Sequence, residues 1–197
     1  MAKMSKTSDI DKCTEWWKNH EVNSHYLGDG EPQVLKILDN FDDNGHWMSI
    51  MEYGCGAGRN LSLIQTRYGI NTIAGYDFNP NMIKAAKNRI HVPLSTNRED
   101  IAEYGMFDLI FTLSVLDHVP DPDEHIQWMI KHAHNVAFIE PWVGQAQSIY
   151  PSHCNEPFSW SWNYDWILKD YNVIHKYHSP IITGELKDYY WTWIVKC

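Results

Sequence analysis

The residues that could do chemistry begin in a short glycine-rich stretch. The sequence IMEYGCGAGRN, Ile50 to Asn60, runs from apolar residues through an acid into Gly54, Gly56 and Gly58. Where a strand ends in glycines and a helix follows, bare backbone N–H groups and the positive end of the helix dipole meet at the carboxyl edge of the sheet. Because no Cβ atom is in the way, a ligand can lie against that backbone. The stretch predicts a binding site for a nucleoside-bearing ligand.

A second acid strengthens this prediction. Asp77 ends the next β-prone run, INTIAGYD, and lies about 20 residues past the glycines, the distance at which a carboxylate can accept hydrogen bonds from both ribose hydroxyls. The glycine spacing also limits the choice of nucleoside. The dinucleotide fingerprint G-x-G-x-x-G requires a third glycine at the position of Arg59, so the sequence disfavours NAD.

Strands and helices alternate around these residues, which predicts an α/β fold with a mainly parallel sheet. The predicted strands are apolar runs, and the predicted helices carry their apolar residues on one face. Two β-prone runs near the end predict a closing antiparallel pair. In chain order the first elements are helix EPQVLKILDNF, with Val34, Leu38 and Phe41 on one face, strand MSIMEY, helix GRNLSLIQTRYG, strand INTIAGYD and helix NPNMIKAAKNRI, with Asn79 as N-cap. They are followed by the short strand VPLSTN, strand FDLIFTL, helix DEHIQWMIKHA, which begins with a capping box of Asp121 and Glu124, and strands NVAFIE, YNVIHKYH and DYYWTWIVKC.

Length and composition describe one folded unit. The 197 residues are 44% hydrophobic and 21% charged, an ordinary balance for a globular protein, and we expect residues 1–197 to form a single domain. The net charge of −9 and the lack of a Lys/Arg-rich face disfavour nucleic acid as a partner. Neither a signal segment nor a membrane-length apolar run is found, so we expect a cytoplasmic protein that does not associate with membranes.

No metal site is expected. The cysteines form no C-x-x-C pair, and the closely spaced histidines lack a carboxylate or cysteine that would complete a ligand set. The residues considered are Cys13, Cys55, Cys154, Cys197, His132, His134, His175 and His178.

The stretch EYGCGAG resembles motif I of the class I S-adenosylmethionine-dependent methyltransferases, in which an acid precedes G-x-G-x-G. YDFNP resembles their second motif, and FDLIFTLSVLDHV resembles their fourth strand with the loop that follows, as in the methyltransferase type 11 and UbiE-like branch. The resemblance covers residues 50–140. It implies a Rossmann-like, doubly wound seven-stranded sheet, S-adenosylmethionine as cofactor and S-adenosylhomocysteine as product.

The resemblance also implies residues that contact the cofactor. Glu52 would hold the methionine end, directly or through water. Asp77 would bind the ribose, and Phe78 would flank the adenine. The residues implied to lie along the methionine end are Gly54, Cys55, Gly56, Gly58, Leu113 and Ser114.

Two residues compete for the adenine amino group, which in this family usually meets an acid or amide after the third strand. Asn97 and Asp100 are both near that point, and the segment that contains them is shorter than is usual in the family. We favour Asp100, followed by Ile101.

A general base is needed if the methyl acceptor is a hydroxyl. His118 lies in the loop that would face the sulfonium, and an imidazole titrates near neutral pH. His153 and Glu140 are further candidates. An amine or thiolate acceptor needs positioning alone, and in that case His118 has no proton to remove.

The two flanking regions are rich in aromatic residues. We expect residues 1–30 to form a lid over the cofactor, with packing on the surface as the alternative. We expect residues 141–170 to form an insertion on the substrate side, where the tryptophans either wall a pocket that could stabilise a cation or only cover the sheet. Trp191 and Trp193 should pack in the core. The other aromatic residues concerned are Trp16, Trp17, His25 and Tyr26 in the first region and Trp160, Trp162 and Trp166 in the second.

These observations favour methyl transfer to the oxygen or nitrogen of a small metabolite or sugar. A non-catalytic S-adenosylmethionine-binding partner subunit is the alternative from another class, and methylation of nucleic acid or protein and an NAD-dependent oxidoreductase are less favoured. The sequence does not determine the oligomeric state.

Overall fold

The structure, a computed structural model, describes residues 7–40, 47–70, 72–142, 147–149, 159–181 and 187–197. The helices are α1 (Thr7–Asn19), α2 (Ser24–Leu27), α3 (Pro32–Asn40), α4 (Arg59–Tyr68), α5 (Pro80–Arg89), α6 (Arg98–Ala102), α7 (Asp123–His132) and α8 (Tyr164–Ile167). The strands are β1 (Ser49–Tyr53), β2 (Thr72–Tyr76), β3 (Leu94–Ser95), β4 (Phe107–Leu113), β5 (Ala133–Pro141), β6 (Gln147–Ile149), β7 (Ser159–Ser161), β8 (Asn172–His178) and β9 (Tyr190–Lys196).

The main sheet has seven strands in the order β3-β2-β1-β4-β5-β9-β8. Strands β3, β2, β1, β4 and β5 are parallel to one another, whereas β9 runs antiparallel to both β5 and β8. The predicted fold class is confirmed, including the closing antiparallel pair. The strand order reverses between β1 and β4, and in open α/β sheets ligands bind beside such a point, at the carboxyl ends of the strands.

Helices cover both faces of the sheet because successive strand residues point to opposite sides. In β1, Ile50 packs in the cluster formed with α3, α4 and α5, and its neighbour Met51 packs in the cluster formed with α6, α7 and α8. Both side chains are fully buried, and burial of a side chain of this size stabilises the fold by about 1.5–3 kcal/mol. The two clusters hold the carboxyl ends of β1, β2 and β4 in a fixed relation.

The start of α7 differs from the predicted capping box. Its N-cap is Pro122, which makes no side-chain cap hydrogen bond, and the Asp121 carboxylate only accepts a hydrogen bond from the Asp123 N–H at 3.2 Å. The helix begins at Asp123, one residue later than the pattern indicates, although Pro122 already has helical dihedral angles (φ −78°, ψ −13°). Glu124 does not bond back to the cap, because its carboxylate pairs with Arg98.

Several further elements were not predicted, among them the short helices α2, α6 and α8. Residues 7–19 form α1, and β6 pairs with β7 as a small antiparallel ladder in a region that the sequence predicts to be loop-like. Phe41 and His153 lie outside the residues that the structure describes. Among the described residues, no helix has the length and apolar character needed to cross a membrane.

Candidate functional site

A cavity of about 490 Å³ lies at the carboxyl ends of β1, β2 and β4. Its volume is within the range that small-molecule sites usually have. The turns after β1 and β2, the loop after β4 and the helix α1 form its wall. The cavity therefore lies at the point where the strand order predicts a ligand.

The turn after β1 exposes backbone to the cavity. Gly54, Gly56 and Gly58 have φ angles of 78°, 51° and 73°, which side chains rarely adopt. A Cβ atom on Gly54 would lie 2.4 Å from Val115 Cγ2. One on Gly56, which lines the cavity, would meet only Tyr26 among the described residues, at 3.7 Å. Gly54 is thus required by packing, and Gly56 leaves room for a ligand.

A Gly56→Ala substitution should separate ligand binding from folding. The strain of a positive φ destabilises the fold by about 1 kcal/mol, and the new methyl group should weaken binding of S-adenosylhomocysteine at least tenfold, measured by calorimetry. Gly69 is the matched control, since its φ is 60° and no atom of the described residues lies within 4 Å of its Cβ position. Gly69→Ala should show the same loss of stability with unchanged affinity; equal affinity losses in the two variants would contradict the assignment.

Glu52 is a buried acid at the end of β1, only 2% exposed. Its Oε1 accepts a hydrogen bond from Asn60 Nδ2 at 2.6 Å, and its Oε2 is buried with no hydrogen-bond partner among the described residues. Burial raises the pKa of Glu52 to about 8, and the Asn60 hydrogen bond opposes that rise. A buried carboxyl with one unused oxygen in a cavity wall fits a ligand that brings a donor or a positive charge.

Asp77 follows β2 on the other side of the glycine turn. Its Oδ2 accepts a hydrogen bond from the Gly56 N–H at 2.8 Å, and its Oδ1 accepts one from the Asn79 N–H at 2.9 Å. Burial raises the pKa of Asp77 to about 6 despite these two bonds. Each carboxylate oxygen can accept a second hydrogen bond, so the side chain is held in place and can still bind two hydroxyl groups.

Hydrogen bonds to the Glu140 carboxylate hold the loop after β4 in place. This fully buried carboxylate accepts hydrogen bonds from Thr112 Oγ1 at 2.7 Å and from the Val115 N–H at 3.2 Å. Burial raises the pKa of Glu140. Glu140 does not line the cavity and its oxygens are engaged by the loop, so it positions the loop. Its role as a general base stays a prediction that this geometry does not support.

His118 reaches the cavity at the end of this loop. Its Nδ1 lies 3.0 Å from Ser159 Oγ, and its Nε2 lies 3.5 Å from the buried Asp117 carboxylate. The Trp17 ring packs against it with the ring centroids 4.2 Å apart. The imidazole is therefore fixed in orientation by α1, by β7 and by its own loop.

Most of the residues implied by the sequence meet at the cavity, and three do not. Asp100 is turned away and accepts hydrogen bonds from Ser95 Oγ at 2.6 Å and Asn97 Nδ2 at 2.9 Å. Ile101 is 1% exposed in the core, and Gly58 packs beside Ala86 as the N-cap of α4. The predicted residues that line the cavity are Glu52, Gly54, Cys55, Gly56, Asp77, Phe78, Leu113, Ser114 and His118.

The adenine assignment to Asp100, followed by Ile101, stays a prediction that this geometry does not support. Asn97 is the N-cap of α6 and accepts the Glu99 N–H at 3.2 Å. This helix, which begins three residues after β3, turns the whole segment towards its own cap and the core. Neither Asn97 nor Asp100 is among the residues that line the cavity.

The tryptophans of the second aromatic region cover the fold and do not line the cavity. Trp160 is 7% exposed, Trp162 Nε1 donates to the Leu116 carbonyl at 2.9 Å, and Trp166 is 54% exposed at the surface. Of the two alternatives, the structure thus favours packing. Trp193 is buried in the core as predicted, and Trp191 packs against the same cluster.

Sequence reasoning missed several lining residues. Ile10, Cys13 and Thr14 reach the cavity from α1, beside Trp17, which the predicted lid already included. Their spacing of i, i+3, i+4 and i+7 is that of one helical face, so the signal was present. Other residues on the wall come from distant segments, and no local pattern marks them: Tyr53, Tyr76, His125, Ile181 and Tyr190.

This strand order, a glycine turn after β1 and an acid after β2 define the fold of the class I S-adenosylmethionine-dependent methyltransferases. The family model described as "Methyltransferase domain" matches residues 26–143. The chain therefore belongs to the methyltransferase domain family.

Relatives and solved structures agree with this membership. The chain is 29% identical over 133 residues to a ubiquinone biosynthesis O-methyltransferase of Cupriavidus pinatubonensis, covering 60% of this chain and 51% of that protein. It is 33% identical over 75 residues to a trans-aconitate 2-methyltransferase of Agrobacterium fabrum, covering 36% of this chain and 28% of that protein. The chain thus spans about half the length, or less, of these curated relatives.

The fold is similar to that of the plantazolicin methyltransferase BpumL in complex with SAH. The TM-score is 0.62 at 13% sequence identity, over 97% of this chain and 91% of that one. At this identity the likeness shows the fold, and the site residues rest on the geometry described above.

Proposed function

We propose that this protein transfers a methyl group from S-adenosylmethionine to the oxygen or nitrogen of a small-molecule acceptor. The observation that carries the proposal is a pair of acids, the buried Glu52 and the half-buried Asp77, that flank the exposed backbone of Gly56 at one cavity. Glu52 has one oxygen without a hydrogen-bond partner among the described residues, and each oxygen of Asp77 can accept a further hydrogen bond. Gly56 leaves the space between the two acids open.

These residues fit the cofactor. Bound S-adenosylmethionine supplies a methyl group activated by its sulfonium. Glu52 would hold the methionine end, Asp77 would accept the ribose hydroxyls, and Phe78 would flank the adenine. Leu113 and Ser114 would lie beside the methionine end at the carboxyl end of β4. The chain's own work is to bind, to orient the acceptor and to exclude water.

The charges around the cavity favour a neutral or cationic acceptor, such as a metabolite or sugar. Among the described residues that line it, Arg59 is the only arginine or lysine. Four carry carboxyl groups, of which Glu52 is protonated in the ligand-free protein at neutral pH and Glu124 pairs with Arg98: Glu52, Asp77, Asp121 and Glu124. Arg59 lies 3.6 Å from Glu31 and is partly neutralised. Such a wall does not attract phosphate groups, which also disfavours nucleic acid as the acceptor.

For a hydroxyl acceptor, we assign His118 as the general base. The imidazole lines the cavity, and the Asp117 carboxylate 3.5 Å from Nε2 would stabilise the imidazolium after proton transfer. Nδ1 is then the nitrogen that takes the proton, and the acceptor hydroxyl would displace Ser159 Oγ, which lies 3.0 Å from it in the ligand-free protein. Helix α1 would act as the lid, which excludes water from this end of the cavity.

Replacing His118 tests this assignment. His118→Gln should lower kcat with a hydroxyl acceptor by roughly 10²- to 10⁴-fold, the usual contribution of a general base, and should leave S-adenosylhomocysteine affinity within about twofold. His132, whose Nδ1 contacts the Trp128 carbonyl away from the cavity, is the control, and His132→Gln should retain full kcat. A kcat unchanged in His118→Gln would show that the acceptor needs no base.

The proposed function as a whole is tested by binding and turnover. Calorimetry with S-adenosylmethionine, S-adenosylhomocysteine and NADH should show micromolar binding of the first two alone. Transfer of labelled methyl groups to panels of phenols, sugars, amines, tRNA and protein should then label a small molecule. Binding without transfer to any acceptor would show a non-catalytic binding subunit, and transfer only to tRNA or protein would overturn the acceptor class.

A further inference from the structure

Asn79 joins the proposed ribose site to the N-terminal helix. It lies in the turn after β2, two residues beyond Asp77, and is only 3% exposed. Its N–H donates to Asp77 Oδ1 at 2.9 Å, and its Oδ1 accepts the Asn81 N–H at 2.8 Å as the N-cap of α5. These bonds use its backbone donor and its side-chain acceptor, so the carboxylate and the start of α5 form one rigid turn with Asn79 at the centre.

The remaining polar group of Asn79, its side-chain NH₂, reaches across to α1. Nδ2 donates to the Trp17 carbonyl at 2.9 Å and to the His20 carbonyl at 2.8 Å. Helix α1 ends at Asn19, and the last carbonyls of a helix have no partner within it. One buried amide thus satisfies two carbonyls at the end of the helix that covers the cavity.

At its other contacts, α1 touches the acceptor side. Cys13 Sγ donates to the His118 carbonyl at 3.3 Å, and Trp17 packs against the His118 ring. Because Ile10, Cys13, Thr14 and Trp17 also line the cavity, any ligand that fills the cavity contacts the docked helix. The helix is therefore held between the turn that carries Asp77 and the loop that carries His118.

We propose that Asn79 is a positioning residue that latches α1 over the cavity and couples its docking to cofactor binding at Asp77. This inference rests on the proposed function for the identity of the ligand, and on the two Nδ2 hydrogen bonds for the latch. A ligand that contacts the docked helix must stabilise docking, and by reciprocity docking must strengthen binding of the ligand by the same factor.

Replacing Asn79 with serine or aspartate removes the hydrogen bonds to α1 and keeps an N-cap on α5. Both residues are good N-caps, so α5 keeps its start, but neither has an NH₂ group to donate to α1. In Asn79→Asp, a carboxylate oxygen faces the two carbonyl oxygens and repels them. Asn97 is the matched control, since it caps α6 in the same way and its Nδ2 donates to Asp100, away from α1.

The measurement is the rate of trypsin cleavage within α1, at the exposed Lys12 and Lys18, followed by mass spectrometry with and without S-adenosylhomocysteine. Without ligand, cleavage in Asn79→Ser should be roughly tenfold faster than in the wild type, as expected for the loss of two hydrogen bonds of ordinary strength. The ligand should slow cleavage in the wild type and in Asn97→Ser, and much less in Asn79→Ser. Calorimetry should show an affinity for S-adenosylhomocysteine about tenfold weaker in Asn79→Ser, with the thermal midpoint within a few degrees of the wild type.

The outcomes separate the latch from the proposed function. Equal ligand-free cleavage in wild type, Asn79→Ser and Asn79→Asp would overturn the latch, whatever the protein binds. Faster cleavage in the variants with full ligand protection would overturn the coupling and leave the proposed function standing. If the wild type binds no S-adenosylhomocysteine, the proposed function and the coupling both fail.

Discussion

Asp77→Ala should abolish micromolar binding of S-adenosylhomocysteine. The variant loses the two hydrogen bonds that the ribose hydroxyls would make to a charged carboxylate. Each such bond is worth about 1.5–3 kcal/mol, and the two together contribute less than the sum of their separate values. It also leaves the Gly56 and Asn79 N–H groups, now bonded at 2.8 and 2.9 Å, without their acceptor. We expect a loss of about 2–4 kcal/mol, or roughly 30- to 1,000-fold in affinity, measured by calorimetry.

Asp108 is the matched control for this effect. It lies at the opposite edge of the sheet, where its Oδ2 accepts the Met48 and Ser49 N–H groups at 2.8 and 2.9 Å. Asp108→Ala should lower the free energy of unfolding by an amount similar to Asp77→Ala, because each change orphans two backbone donors. Only Asp77→Ala should lose the ligand. Comparable affinity in Asp77→Ala and the wild type would show that the ligand lies elsewhere.

The parts of the site that could be predicted from the sequence depend on short segments. Glu52, Gly54 and Gly56 follow one another at the end of a strand, and Asp77 ends the next strand. Parallel strands that are adjacent in the sheet bring their carboxyl ends together, so the alternation of elements is enough to place these residues at one edge. Their approach to one cavity follows from local pattern and topology alone.

The expectations that the structure does not support concern side chains that are engaged by other parts of the protein. Asp100 is drawn to Ser95 and Asn97 by a short helix, and Glu140 is taken up by backbone N–H groups more than 20 residues away. Both are acids near the predicted edge, and composition does not tell a ligand-binding acid from one that holds a loop. Trp162 likewise finds the Leu116 carbonyl, 46 positions earlier. The pairings of Glu140 and Trp162 are decided by tertiary packing, which overrides local signals, whereas Asp100 is held within the cap of its own short helix.

Glu52 presents a conflict between stability and binding. Burial raises its pKa to about 8 in the folded protein, from an ordinary value of 4.5; the Asn60 bond and nearby Arg59 oppose the rise, and Asp77 adds to it. Above about pH 4.5 the unfolded chain releases this proton, while the folded chain retains it up to about pH 8. The folded state then binds more protons than the unfolded state, so this group lowers the free energy of unfolding as pH rises through that window.

Glu52→Gln should therefore stabilise the ligand-free protein at high pH. The linkage cost of the native acid reaches on the order of 4 kcal/mol at pH 8. A glutamine Oε1 can keep the bond from Asn60, but its NH₂ group would be a buried donor without a partner, which costs about 1–3 kcal/mol. We expect the variant to be about 1–3 kcal/mol more stable than the wild type at pH 8 and no more stable at pH 5, measured by urea denaturation.

The same substitution should weaken cofactor binding and remove its pH dependence. A ligand whose amino group is positively charged binds the ionised carboxylate, so the affinity of the wild type should rise with pH. Below the pKa of Glu52, near 8, the rise should be up to about tenfold per pH unit. Calorimetry in buffers of different ionisation enthalpy should detect the proton that binding releases. In Glu52→Gln the affinity should be lower and nearly flat with pH. Glu103→Gln, on the exposed end of α6, should follow the wild type in both measurements. The free energies of unfolding of Glu52→Gln and the wild type could instead change with pH in the same way from pH 5 to pH 8. In that case Glu52 is not the buried, protonated acid that this structure implies, and the amino group of the ligand has its charge partner elsewhere.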